Sequence, residues 1–203
     1  MTSVRHKRIR ARQANDAVSV THPVEKRRQV ERIVRGGTVL EVFAGIGQMT
    51  RVYESLCCTV TAWDKRLGTG DSWTRLLRGV GVTYDVVDLD PYGFPSRAFP
   101  HVFLYIQDGY MFLTFPKPWV QRVNGISREH LRVWWGAESP SHDQILLALQ
   151  EYGLRYWREV VEEDCLDLGR VWRFALRVKR VKATEYCNVR NRAKVATLQG
   201  KLL

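Results

Sequence analysis

The stretch "TVLEVFAGIGQMTRVYESL", residues 38–56, decides how the rest of the chain is read. Its first part, "TVLEVFA" (38–44), is a short apolar run with the composition of a buried strand. Glycines at 45 and 47 end the run, and the residues after them continue as a helix. Strand, glycine turn and helix in this order form the place where α/β folds bind a nucleotide-like ligand. Gly45 and Gly47 allow the backbone to approach such a ligand closely.

Working outward, the same alternation repeats. A helix is predicted over "THPVEKRRQVERIV" (21–34), with Thr21 as N-cap and Pro23 in the first turn, stopped by Gly36-Gly37. "CTVTAWD" (58–64) reads as a second strand, "DSWTRLLRGV" (71–80) as a short helix, and "YDVVDLD" (84–90) as another strand. A helix over much of 95–106 is followed by an Asp108-Gly109 turn and the strand "YMFLTF" (110–115). Ser141 and Asp143 cap a helix that Gly153 ends. Two closing strands, about 155–163 and 170–180, meet in a turn at Gly169. Strands alternating with helices imply a doubly wound, mostly parallel α/β sheet, and the closing pair adds an antiparallel strand at one edge.

Charge divides the chain into three parts. Residues 1–36 hold ten Lys/Arg against three acids, residues 177–203 hold eight against one, and the middle holds fourteen against seventeen. This predicts a basic tail (1–20), a folded body (21–182) and a basic extension (183–203). Such ends grip a polyanion, with Arg5, Lys7, Arg8, Arg10, Arg12, Lys179, Arg180 and Lys182 as the expected nucleic-acid contacts. No apolar run approaches the ~18 residues of a membrane span. The N-terminus lacks the apolar core of a secretory signal, so a cytoplasmic protein is expected. Cys57, Cys58, Cys165 and Cys187 contain no C-x-x-C pair, and no histidine pair has metal-ligand spacing, so no metal site is expected.

The glycine turn lacks the third glycine of a dinucleotide fingerprint, since Thr50 stands there, and an acid, Glu41, lies within the strand. A carboxylate beside the ligand suits a cation better than a diphosphate. The α-ammonium of S-adenosylmethionine is such a cation. Asp64, at the end of the second strand, is placed to accept both ribose hydroxyls, and Asp71 to reach the adenine amine.

A second stretch, "YDVVDLDPYGFPS" (84–96), carries two acids to the end of a strand and turns at once. Together, "VLEVFAGIGQMT" and "DLDPYGFP" resemble motifs I and IV of class I S-adenosylmethionine-dependent methyltransferases. The second is similar to the D-L-D-P-F-G-x-P form of the tRNA guanine-N2 dimethyltransferase family. The resemblance covers roughly residues 36–115. It implies a Rossmann-like, seven-stranded sheet and S-adenosylmethionine as cofactor, with Phe43 and Asp88 added to Glu41, Gly45, Gly47, Asp64 and Asp71 as its contacts; Asp88 is alternatively a support. It also implies transfer to an exocyclic base amine. Asp90 would accept the amine N–H and localise its lone pair, the Pro91 backbone would accept a second bond, and Tyr92 would stack on the base. The family's usual phenylalanine is Tyr92 here, and "TFPKPW" (114–119) has no counterpart in that family. Trp119 is either a wall of the base pocket or a core residue. RNA, and tRNA guanine N2 first, is the implied substrate. The alternatives are a DNA adenine-N6 or cytosine-N4 methyltransferase of phage type, and a non-catalytic nucleic-acid-binding module on the same fold.

Overall fold

A computed structural model describes residues 22–79, 81–91, 95–123 and 127–190. The elements in chain order are α1 (Pro23–Ile33), β1 (Gly37–Val42), α2 (Gln48–Ser55), β2 (Cys58–Trp63), α3 (Ser72–Arg78), β3 (Tyr84–Leu89), α4 (Phe99–Val102), β4 (Ile106–Pro116), α5 (Pro118–Val123), α6 (Arg128–Trp135), α7 (His142–Arg155), β5 (Arg158–Asp167) and β6 (Val171–Arg180). The sheet order is β2-β1-β3-β4-β6-β5. The first four strands are parallel, and β6 inserts between β4 and β5, antiparallel to both. The antiparallel element is therefore one strand in from the edge.

Alternation along the strands separates two cores. Leu40, Val42, Val87 and Leu89 face α3, α4, α6 and α7 through Leu76, Phe99, Leu131 and Leu149. Val39, Val86, Phe112 and Ala175 face α1 and α2 through Val30, Val34, Met49 and Tyr53. The sheet is thus covered on both sides, as a parallel sheet requires. No helix among the described residues is long and apolar enough to cross a membrane.

The described strands number six rather than the expected seven. Residues 64–83 hold one 3₁₀ turn and α3, then return directly to β3. Gly79 and Gly81, at φ 64° and 65°, turn the chain where a further strand would need extended backbone. Other boundaries also shift. Thr21 lies outside the described residues, and His22 occupies the N-cap position without a side-chain bond. The helix expected over 95–106 shrinks to a 3₁₀ turn and α4, because β4 already begins at Ile106. Asp108 and Gly109 belong to β4 rather than to a turn. A Cβ on Gly109 would lie 2.0 Å from the Asp85 carbonyl oxygen, so only glycine passes there. Residues 117–140, without a predicted element, form α5 and α6; Ser127 caps α6 and Gly136 ends it.

Gly153 does not end α7, which continues to Arg155. Its role is close approach: a Cβ there would sit 2.6 Å from Val160 Cγ2 and 2.9 Å from the Arg158 carbonyl oxygen. Part of the expected extension packs on this end of the body, with Val189 buried against Leu154 and Val181. Gly153→Ala is expected to lower stability by about 1–3 kcal/mol through overpacking, although alanine is the better helix former. Thermal unfolding followed by circular dichroism checks it; an unchanged or raised midpoint would show that β5 can give way.

Candidate active site

The carboxyl ends of β1, β2 and β3 lie side by side at one edge of the sheet, and the backbone locks them together. Phe43 and Ala44 donate their N–H groups to the Trp63 carbonyl, tying the start of the glycine turn to β2. Asp90 donates its N–H to the Val42 carbonyl, tying the end of β3 to β1. Phe43 takes a left-handed conformation, φ 70°, which costs a bulky side chain energy and marks this turn as constrained. Its ring meets Trp73 edge-on at 4.8 Å.

Asp64 closes the turn from the other side. One carboxylate oxygen accepts from Gly45 N at 3.0 Å and the other from Arg66 N at 2.8 Å. Each oxygen keeps a further lone pair for a hydroxyl. Asp71 caps α3 through Thr74 and pairs with Lys65 at 2.7 Å. The Lys65 contact, then the Thr74 bonds, hold its carboxyl down at about 2. A side chain added at Gly45 would meet nothing within 4 Å, so the turn is open outward. Ile46 and Leu67 stand exposed beside it as apolar surface. An open glycine turn, apolar flanks and acids with spare acceptor capacity fit a nucleoside ligand.

Glu41 is buried beneath this turn and accepts from the Thr50 hydroxyl. Burial pushes its carboxyl up to about 8, with Asp88 adding to the rise. Glu41 is therefore protonated at neutral pH in the free protein, and a bound ammonium would favour its ionised form.

Asp88 is buried at the end of β3, where its contacts are those of a support. It is 1% exposed, and Oδ2 accepts from Arg173 and from the Tyr53 hydroxyl, each at 2.7 Å. Arg173 is itself 0% exposed and also donates to Thr114 Oγ1 at 2.9 Å. Asp90, next along β3, is paired with Lys26 of α1. Burial works to raise the Asp90 carboxyl, but Lys26 and Arg173, with a Thr114 hydrogen bond, hold it below the ordinary carboxylate range. Its side chain remains 34% exposed, so one side faces outward. Pro91 follows, buried, and Tyr92 lies outside the described residues.

Lys26, Thr114, Arg173, Tyr53 and Thr50 were not named from the sequence as site residues. Lys26 gave no signal until the inward face of α1 was known. Lys26, Gln29 and Val30 are the buried residues of α1, so two polar residues occupy its inward stripe. Arg173 gave none, because it alternates with Trp172 and Phe174 as an outward residue would. Trp119, 46% exposed just after β4, is not a core residue. Arg5, Lys7, Arg8, Arg10 and Arg12 lie outside the described residues. Lys179, Arg180 and Lys182 are exposed, but β6 carries them to the opposite edge, where Val178 pairs with Gly109 at the start of β4. Chain distance hid one further cluster. His142, Glu162 and Cys165 bring three ligand-type atoms within 4.8 Å of one another, although burial and nearby carboxylates push the Cys165 thiol up to about 12.

No protein-family model matches the chain, and no curated protein matches it. Solved structures do. Trm1 from Pyrococcus horikoshii, in complex with S-adenosyl-L-methionine, superposes with a TM-score of 0.57 at 11% identity. The match covers 75% of this chain and 52% of Trm1, so the chain spans about half of that protein's length. The 1,6-didemethyltoxoflavin-N1-methyltransferase of Burkholderia thailandensis, with S-adenosylhomocysteine bound, superposes with a TM-score of 0.52 at 12% identity, covering 83% of each chain. The chain has the fold of the S-adenosylmethionine-dependent methyltransferases. In this methyltransferase fold the strand-end edge carries the open glycine turn and the paired Asp90.

The raised Glu41 carboxyl has a stability consequence. Its contribution is complete below the ordinary value of 4.5 and is lost as pH rises through about 8. Glu41→Gln should therefore match the wild type near pH 5 and exceed it near pH 9 by on the order of a few kcal/mol. Urea unfolding at the two pH values checks this; equal differences at both would mean that Glu41 titrates normally.

Proposed function

We propose that this chain is an S-adenosylmethionine-dependent methyltransferase that modifies an exocyclic amine of a nucleic-acid base, with guanine N2 of tRNA as the substrate. The observation that carries this reading is the ionised, half-open Asp90 standing one strand away from the open glycine turn. Adjacent strands are about 4.8 Å apart, so a methyl donor in the turn and an amine on Asp90 would be near neighbours.

When bound, S-adenosylmethionine supplies an electrophilic methyl group on a sulfonium. Gly45, Gly47 and Phe43 would shape its seat, Asp64 would accept ribose hydroxyls, Glu41 would face the ammonium, and Asp71 would lie near the adenine. Asp90 and the Pro91 carbonyl would accept the N–H bonds of the base amine, and Tyr92, by its place in the sequence, would stack on the ring. With its lone pair localised by Asp90 and Pro91, the amine nitrogen would be the group to take that methyl, and the C–S electrons would stay with sulfur. The surplus N–H proton passes to water, because a carboxyl held low by Lys26 and Arg173 accepts a hydrogen bond well and a proton poorly. Positioning and the fixed field of Asp90 supply most of the rate.

Two features support a nucleic acid as the acceptor. The first turn of α1 lies at the Asp90 edge, and the sequence before α1 is rich in Lys and Arg. Trp119 offers a half-exposed indole after β4 at the same edge. The choice of tRNA rests on the resemblance of "DLDPYGFP" to the tRNA guanine-N2 dimethyltransferase form.

The test is to incubate the protein with methyl-labelled S-adenosylmethionine and separate pools of tRNA, rRNA and DNA, then digest to nucleosides. Label in N2-methylated guanosine from tRNA is expected. Label in a methylated adenine or cytosine of DNA would replace the substrate; no labelled nucleoside from any pool would overturn the reading.

A further inference from the structure

We propose that Lys26 is a positioning residue for the transfer, holding the Asp90 carboxylate in place from the first helix so that its exposed side is always an acceptor. The inference rests on the reading of Asp90 as the amine acceptor. It concerns a residue more than sixty positions away in the sequence and on another element.

Lys26 is 3% exposed. A lysine ammonium is seldom buried unless paired, because desolvation of the charge costs several kcal/mol. Its ion-pair partner is Asp90 Oδ2. The burial also fixes what Lys26 can do. An ammonium so enclosed has almost no surface to offer a base, so it acts through Asp90 and not on the substrate.

The groups around Asp90 explain why a cation is needed there. Asp88 precedes it on β3, and Glu41 of β1 interacts with it electrostatically from the neighbouring strand. Arg173 of β6 contributes across the sheet, and Thr114 of β4 by a hydrogen bond. Arg173, however, is already engaged by Asp88 and Thr114. Lys26 is the cation in direct contact. Without it, Asp90 keeps only a share of the Arg173 guanidinium against the cost of its burial, and its carboxyl protonates at higher pH. A protonated carboxyl turns one acceptor position into a donor, which opposes the amine N–H.

The placement of α1 makes the contact rigid. Gln29, one turn on, donates to the Arg173 carbonyl at 3.2 Å and to Asp164 at 2.8 Å, and Val30 packs in the core beside Phe112 and Ala175. Lys26 is thereby carried by a helix anchored at two further points, not by a loose side chain.

The experiment compares wild type with Lys26→Met, Lys26→Gln and Lys26→Arg in the full chain. Carbon-13 carboxyl NMR, with Asp90 assigned through Asp90→Asn, follows its titration. Single-turnover methyl transfer to the accepting nucleic-acid pool gives the pH profile. Expected is an upward move of the Asp90 titration and of the acidic limb of the rate by about 1–3 pH units in the Met and Gln variants. Recovery toward wild type in Lys26→Arg and unchanged cofactor affinity are also expected. An Asp90 titration unchanged in both neutral variants overturns the inference, as does a rate loss equal at every pH. A wild-type protein that labels no base, with the titration shift present, overturns the functional reading and the catalytic part of this inference together. An active enzyme without the shift overturns this inference alone.

Discussion

A guanidinium with no solvent contact is the constraint on which this structure turns. Arg173 lies at 0% exposure between the sheet and α1, and the desolvation of its charge must be offset inside the protein. Asp88 of β3 does this across the sheet, assisted by Thr114 of β4. The pair therefore ties β3 to β6 across β4, which lies between them. Tyr53 of α2 completes the carboxylate and fixes the helix after the glycine turn to the same point. One buried charge thus links the last strand, the central strands and the helix that opens the site.

The chemistry above the pair follows from it. Asp88 lies in β3 and Asp90 just past its end, two residues on, yet they have different work. Asp88 is spent on Arg173, while Asp90 is exposed by a third and keeps its carboxylate through Lys26 and the field of Arg173. Glu41, on the neighbouring strand, has no cation in direct contact, and burial leaves it protonated. Two neighbouring acids are thus held in different states, Asp90 ionised and partly exposed and Glu41 protonated. Neighbouring titratable groups pushed apart in this way recur at functional sites, which is why this patch is the candidate site.

Much of this was legible before any coordinates. The alternation of apolar runs with turns identified β1, β2, β3 and β6 to within a few residues, because a buried strand is written locally. The glycine turn with Asp64, and the acid-proline end of β3, also stood in the sequence as motifs. What the sequence withheld were long-range contacts. Arg173 looks like an outward residue until α1 is laid over it. Lys26 looks like one of many basic helix residues until the helix face is assigned. Gly109 and Gly153 read as turn glycines, although each is required by the close approach of a neighbouring strand. The seventh strand failed because family resemblance supplied a count that residues 64–83 are too short to fill.

The central claim is that Asp90 serves the acceptor amine and not the cofactor. Asp90→Ala, measured by calorimetry with S-adenosylmethionine and by single-turnover transfer on the same preparation, tests it most directly. The account predicts cofactor affinity within a few-fold of wild type and loss of transfer by at least about a hundredfold, since removing a group that acts in the transition state lowers rate rather than binding. Near-normal transfer in the variant, or loss of cofactor binding in step with the rate, would contradict it.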